Sequence, residues 1–308
     1  MTFSFAENRS FDIVGIGRNS WDRLAVIPSF PQPNTKSEIL TLDNQPGGQV
    51  ATTIVTATRL GAKTRYLGKF GDDAGGRAVR GALVREEIDL SESKVVPGVS
   101  NQSAFIVVDK NSKTRTVFSY ADPRLSMNSD DFSHEAVTSG KILFLGGRRP
   151  ESVLAFAKSG KESGSLVAID ADTVSHDTAE MISYADVVIC PVDFPEQFTG
   201  DSSMEKALKM IAGTGPKMVC CTRGEKGCTA IVEGRFYESP ALDIDVRDTT
   251  GAGDVFQGAL LVGLLESLSV PELLRLANAA AALKCQQLGG QKGIPSRREV
   301  EAFLASES

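Results

Sequence analysis

The sequence predicts an α/β protein, with a parallel sheet joined by helical crossovers and a small antiparallel sheet attached to it. Short apolar runs alternate along the chain with longer helical patterns, which is the signature of parallel strands linked through helices. Two stretches, 23–45 and 96–122, break that rhythm with alternating polar and apolar residues, as expected of a sheet with one solvated face. The composition, 41% hydrophobic and 23% charged over 308 residues, is that of an ordinary globular chain and excludes a largely disordered one.

In chain order, strands are expected at 12–16, 105–108, 142–145, 166–170, 187–190, 218–222 and 229–232, where apolar residues run without a helical period. Helices are expected at 51–60, 75–87, 151–162, 204–212, 253–265, 271–287 and 296–306. Pro271 suits a first helical position and Gly289-Gly290 suits a helix exit. Residues 23–45 carry Pro28, Pro31 and Pro33, and 96–122 read as a hairpin turning near KNSK. Together they form one small sheet, suited to act as a lid, a dimer surface or both.

Lys+Arg 33 against Asp+Glu 39 leaves a net charge of −6, which repels phosphate backbones and argues against a nucleic-acid partner. His134 and His176 are the two histidines, too few for a multi-histidine zinc site. Cys190, Cys220, Cys221, Cys228 and Cys285 form no CxxC, and they read as buried reduced thiols. No apolar stretch approaches ~18 residues and no signal-peptide pattern opens the chain, so a cytoplasmic protein without membrane attachment is expected. GIGRNS at Gly15 has Ser20 where a dinucleotide fingerprint needs glycine, and LGKF at Leu67 lacks the remaining P-loop residues. No GxSxG elbow occurs.

The chemistry concentrates in DTTGAGDVFQGALLV, from Asp248 onward. Gly251 and Gly253 leave no side chain to block a ligand, and an apolar helix starts directly after them. The free N–H groups of residues 251–254 lie at the positive end of the helix dipole, an anion site suited to a phosphate. Asp254 sits inside that site. As a first-turn carboxylate it would add ~0.3–1 kcal/mol to the helix. As a base it would orient a hydroxyl toward the γ-phosphate of a nucleotide. The two threonines and three glycines around it weaken local structure without packing gain, which favours the second role.

This segment resembles the C-terminal signature of the ribokinase/PfkB carbohydrate kinases. Gly47-Gly48-Gln-Val-Ala-Thr52, a helix, and a strand running into Gly68, Gly71, Asp72 and Gly75 are similar to the family's N-terminal signature. CTRGEKGC at 221–228 resembles its strand-turn-strand nucleotide segment, and LANAAAALKCQQLGGQKGIPS resembles the helix and loop beside the adenine and a monovalent cation. Order and spacing agree over about residues 10–305.

The resemblance implies a doubly wound α/β body, one ribokinase-like domain over 1–308, with a β lid at about 23–45 and 96–122 through which such proteins often form homodimers. It implies ATP and Mg²⁺ as cofactors, with K⁺ as a further one. Asp254 becomes the catalytic base, and the amides of Gly251, Ala252 and Gly253 the anion hole. Asp248 and Thr250 fall beside a K⁺-type site, helped by carbonyls around Gly289–Gln291. Thr222, Gly224 and Gly227 would line the nucleotide, with Asn278 by the adenine. Asp22 falls where a carboxylate holds sugar hydroxyls; Gly47 and Gly48 would let the sugar approach the backbone.

Three positions depart from the pattern. Thr52 stands where an Asn is usual, Gln257 replaces a frequent Asn, and PVDFPEQFTG, with Asp193 and Glu196, replaces an N-x-x-E segment tied to Mg²⁺. The implied activity is transfer of the γ-phosphoryl group of ATP to a sugar hydroxyl. The leading acceptor is a ketohexose such as fructose; a phosphorylated or sulfonated sugar, given Arg148, Arg149, Lys113 and Arg115, and a nucleoside are alternatives. A sugar- or nucleotide-sensing protein without turnover is the reading from another class.

Overall fold

The computed structural model describes residues 3–112, 114–146 and 150–307. Lys113, Arg148 and Arg149 lie outside the described residues. In chain order the elements are β1 (Phe11–Ile16), β2 (Ser20–Ile27), β3 (Thr41–Gly47), α1 (Gln49–Arg59), β4 (Thr64–Leu67), β5 (Lys69–Gly71), α2 (Ala74–Arg85), β6 (Lys94–Val96), β7 (Ser103–Asp109) and β8 (Arg115–Tyr120). There follow α3 (His134–Val137), β9 (Gly140–Leu145), α4 (Pro150–Glu162), β10 (Leu166–Asp170), α5 (Thr178–Ser183), β11 (Val187–Pro191), α6 (Phe194–Thr199) and α7 (Met204–Ala212). The chain closes with β12 (Met218–Thr222), β13 (Cys228–Val232), β14 (Arg235–Ser239), α8 (Ala252–Leu265), α9 (Val270–Cys285) and α10 (Arg297–Ser306).

The large sheet runs β14-β13-β12-β11-β10-β9-β1-β4. Pairings from β4 to β12 are parallel, and β13 and β14 join antiparallel. Its strands are buried on both faces. Ile13, Ala168, Val187 and Ile189 pack into the core under α1, α8 and α9, while Val14, Val167, Val188 and Cys190 pack into a second core on the opposite face. Helices therefore cover both sides, the doubly wound arrangement expected.

The chain leaves β1 and enters the small sheet at once, with order β3-β2-β7-β8. Its outer pairs are antiparallel and its central β2–β7 pair is parallel. β8 is exposed throughout, so the buried face expected from the alternation in 96–122 is not found on that strand. Residues 28–40 connect rather than pair, and Val96 belongs to β6, which pairs with β5 in a separate ribbon. The sheet strands are thus narrower than the 23–45 and 96–122 stretches.

All five cysteines are free and buried. His134 and His176 are exposed; the first meets Ser159 Oγ at 2.8 Å and the second pairs with Asp177. Among the described residues no helix is long and apolar enough to cross a membrane.

Candidate active site

The turn before α8 is shaped by Gly251, whose φ of 76° is a left-handed conformation natural to glycine. Its carbonyl accepts from Val255 N at 2.9 Å and starts the helix. The Ala252 amide, expected in the anion hole, instead donates to Thr249 O at 3.2 Å and closes the turn. Among the described residues, the amides of Gly251, Gly253 and Asp254 have no protein acceptor. The anion-binding set is therefore these three, with Asp254 N in place of Ala252 N. A Cβ at Gly253 would meet no atom within 4 Å, so the turn opens onto unfilled space.

Asp248 anchors this turn from inside. Its Oδ1 accepts from Thr250 N at 2.9 Å and Thr250 Oγ1 at 2.7 Å, its Oδ2 from Gly289 N at 2.7 Å, and its carbonyl from Lys284 Nζ at 2.8 Å. Lys284 is 0% exposed. Burial lowers its pKa, opposed by the charges of Asp248 and Asp254. These contacts do not suit K⁺ ligation by Asp248 and Thr250, because donor hydrogens already point at the oxygens that would hold it.

Asp254, half-buried, projects from the first turn of α8. Burial pushes its carboxyl well above the ordinary aspartate value, Asp170 and Asp22 push it further, and Arg115 and Lys284 pull back. The helix dipole alone would have kept it low. Asp22, on β2, is 9% exposed and accepts from the Ser20 hydroxyl; burial pushes it up to about 6. The carboxylate expected at the sugar thus does share a field with Asp254.

Asp170 and Asp172 were not foreseen. Asp170 ends β10, is 8% exposed, and is pushed up to about 7 by burial and then by Asp172, against a hydrogen bond with Gln257. Gln49 Nε2 donates to Asp172 Oδ2 at 2.9 Å and reaches Asp170 Oδ2 at 3.4 Å. The available signal was an acid at the C-terminal end of an apolar strand, where open parallel sheets gather their ligands. Gln257 also accepts from Thr53 Oγ1 at 3.2 Å, so the residue replacing the usual Asn ties α8, α1 and β10 together.

Three residues expected on the sugar side make close contacts within the protein. A Cβ on Gly47 would lie 2.0 Å from Asp22 Oδ2, and one on Gly48 would lie 2.5 Å from Asn19 Cα. The glycine pair therefore makes room for Asp22 and the backbone after β1. Thr52 is 1% exposed within α1, and its hydroxyl accepts from Gln291 Nε2 at 3.3 Å. It joins α1 to the loop after α9 and presents nothing to a sugar.

On the nucleotide side, Thr222 ends β12 with its hydroxyl 3.4 Å from Cys190 O. Gly224 has open space where a side chain would be, and Gly227 packs against the Ser239–Ala241 backbone. Asn278 Nδ2 lies at 3.0–3.1 Å from Ser239 O, Ser239 Oγ and Pro240 O. Asn278 is thus a brace between α9 and the strand end. Asp193 and Glu196 sit at the exposed start of α6, Asp193 accepting from Gln197 at 3.0 Å. Arg115, left undecided by the sequence, reaches from β8 to Thr249 Oγ1 at 2.5 Å. It places a cation of the small sheet at the turn before α8.

An anion-binding helix start holding an acid, at the mouth of a parallel sheet, defines a phosphotransferase site on an α/β body. The model of the pfkB family carbohydrate kinases matches residues 11–297, and the chain belongs to that family. It is 30% identical over 299 residues to a ribokinase of Haemophilus influenzae, covering 94% of this chain and 97% of that one. Relatives further include a fructokinase of Arabidopsis thaliana, a nucleoside kinase of Methanothermobacter thermautotrophicus and a 5-dehydro-2-deoxygluconokinase of Bacillus anthracis. Ribokinase from Thermotoga maritima superposes with a TM-score of 0.84 at 26% identity, over 96% of this chain and 99% of that one. A ribokinase II from Escherichia coli, solved with ATP and Mg²⁺, superposes with a TM-score of 0.84 at 20% identity, over 96% and 99%. The protein is an ATP-dependent phosphotransferase of the sugar and nucleoside kinase class.

Proposed function

We propose that this kinase transfers the γ-phosphoryl group of MgATP to a hydroxyl of a neutral sugar, a ketohexose such as fructose, with Asp254 as base. The observation carrying the reading is the convergence of Asp22, Asp170 and Asp254 beside unpartnered amides. Carboxylates accept hydrogen bonds from sugar hydroxyls and repel an acceptor that is itself anionic. The raised carboxyl of Asp254 matches its task, since a base closer to neutral pH takes a hydroxyl proton more readily. Asp254 orients the hydroxyl and receives its proton, while the amides of Gly251, Gly253 and Asp254 hold the transferring group.

The donor set fits Mg²⁺ carried chiefly on nucleotide phosphates, the usual arrangement for that ion. Among the described residues no three metal-ligating side chains cluster, and Asp170 and Asp172 are the carboxylates this chain offers it. Bound there, the ion neutralises developing phosphate charge.

The small sheet serves as the lid, bringing Arg115 onto the anion turn. Its ring-bearing face, with Phe105 paired to Phe118 and Tyr120 nearby, is exposed and suits a second copy of the chain. Reduced, buried thiols suit the cytoplasm. The test is incubation with MgATP and a panel of ketohexoses, aldoses, sugar phosphates and nucleosides, following ADP release. ADP with a ketohexose is expected. Turnover confined to sugar phosphates or nucleosides would reassign the acceptor, and ATP binding without turnover on any would make the protein a sensor.

A further inference from the structure

We propose that the Lys284 ammonium stands permanently where a monovalent metal ion was expected, so this chain needs no K⁺ to hold its phosphate turn. Its purpose rests on the kinase reading above; its placement does not.

The Asp248 oxygens are already committed. Thr250 and Gly289 direct three N–H and O–H groups at the two carboxylate oxygens of Asp248, and Lys284 Nζ takes the Asp248 carbonyl at 2.8 Å. A metal ion would face hydrogens at each of these atoms. Lys284 itself is fully buried in the Ala- and Leu-rich stretch ANAAAALKC. Burying an ammonium costs several kcal/mol unless its charge has a partner, and an apolar residue would pack there without that cost. The position in the last turn of α9 adds the negative end of the helix dipole, which favours a cation.

The surrounding contacts form one unit. Arg247 N and Asp248 N both donate to Cys285 O, at 2.9 and 3.1 Å, so α9 grips the chain before the turn through backbone as well as side chain. Gly251 lies against Gly290, whose oxygen would be 3.0 Å from a Cβ placed there. A charge tethered at Lys284 thereby fixes the direction of the amides at 251, 253 and 254. An exchangeable ion would do the same only while bound.

The test compares potassium with choline at equal ionic strength, together with a heavy-ion probe. Wild-type MgATP affinity by calorimetry is expected to agree within about twofold between KCl and choline chloride. Lys284→Met should bind MgATP about tenfold more weakly in choline and recover in KCl. Crystals soaked in thallium(I) acetate should show no anomalous peak beside the Asp248 carbonyl in the wild type, and a peak there in Lys284→Ala. A thallium peak in the wild type, a fall of about fivefold or more in wild-type affinity without K⁺, or no ion in the variant would overturn the proposal. The wild-type measurements stand even where a variant fails to fold. Absence of MgATP binding in every salt would remove the kinase reading, and the thallium comparison would still decide the role of Lys284.

Discussion

Replacing Asp170 by asparagine probes the electrostatics of the cleft directly. The Asp170 carboxyl is displaced from 3.8 to about 7, by burial first and by Asp172 second. A raised acid binds its proton more tightly in the folded chain than in the unfolded one. Its favourable contribution is complete below about pH 4 and is lost as pH rises through about 7. Each pH unit of displacement is worth ~1.4 kcal/mol, so ionised Asp170 opposes folding by up to about 4 kcal/mol at pH 8. Asparagine keeps the shape and an acceptor oxygen for Gln257 while removing the charge. Asp170→Asn should therefore match the ligand-free wild type near pH 4 and exceed its stability at pH 8 by up to about 4 kcal/mol, roughly 8 °C for a chain this long. Urea unfolding at pH 4, 5, 6, 7 and 8 reads the difference. Parallel stability curves for the two proteins across that range would show that Asp170 carries no such burden. The same substitution should move the acid limb of the kcat/KM profile to lower pH, because Asp170 is the leading charge raising Asp254.

Asp254→Asn should lower kcat by ~10²–10⁴-fold with little change in MgATP binding, measured by steady-state kinetics and calorimetry; near-native turnover would end its assignment as base. Gly253→Ala adds a methyl on the open side of the anion turn and improves helix propensity. Thermal unfolding should rise by up to about 1 kcal/mol while phosphoryl transfer falls, and an unchanged rate would place the phosphate elsewhere. Arg115→Ala removes a cation that lowers Asp254, so the acid limb of the pH profile should shift upward and kcat/KM fall; an unmoved limb would separate the lid from the base.

The body of the fold was legible because its strands are covered on both faces. Val187–Cys190 and Met218–Cys221 read as unbroken apolar runs since each residue meets one of two cores. Met204–Ala212 was found to the residue, its buried Ala207, Leu208 and Ile211 standing at helical spacing. α5 and α6 escaped notice because six residues are too few to show a period, and β14 because it is an edge strand with exposed and half-buried positions. The parallel β2–β7 pair had no local signal at all, since the two strands are separated by α1, α2 and four strands.

The site was legible where chemistry and backbone geometry coincide and obscure where contacts join distant segments. Asp254 and the open turn were found together because glycines, a helix start and an acid are contiguous. Gly47 and Gly48 were noticed for the right property, a need for close approach, and the approaching group at Gly47 is Asp22 from across a strand pair. That fact depends on the β2–β3 register, which places Ser20 opposite Gly47. Asp170 sits in LVAID and Lys284 in LKC, where each looks like an ordinary polar end to an apolar run. Their meaning appears only when β10 and α9 bring a buried acid and a buried ammonium within reach of one carboxylate, the first raising Asp254 and the second lowering it. The balance at Asp254 is therefore a property of the folded sheet, and Asp170→Asn and Arg115→Ala each alter one side of it.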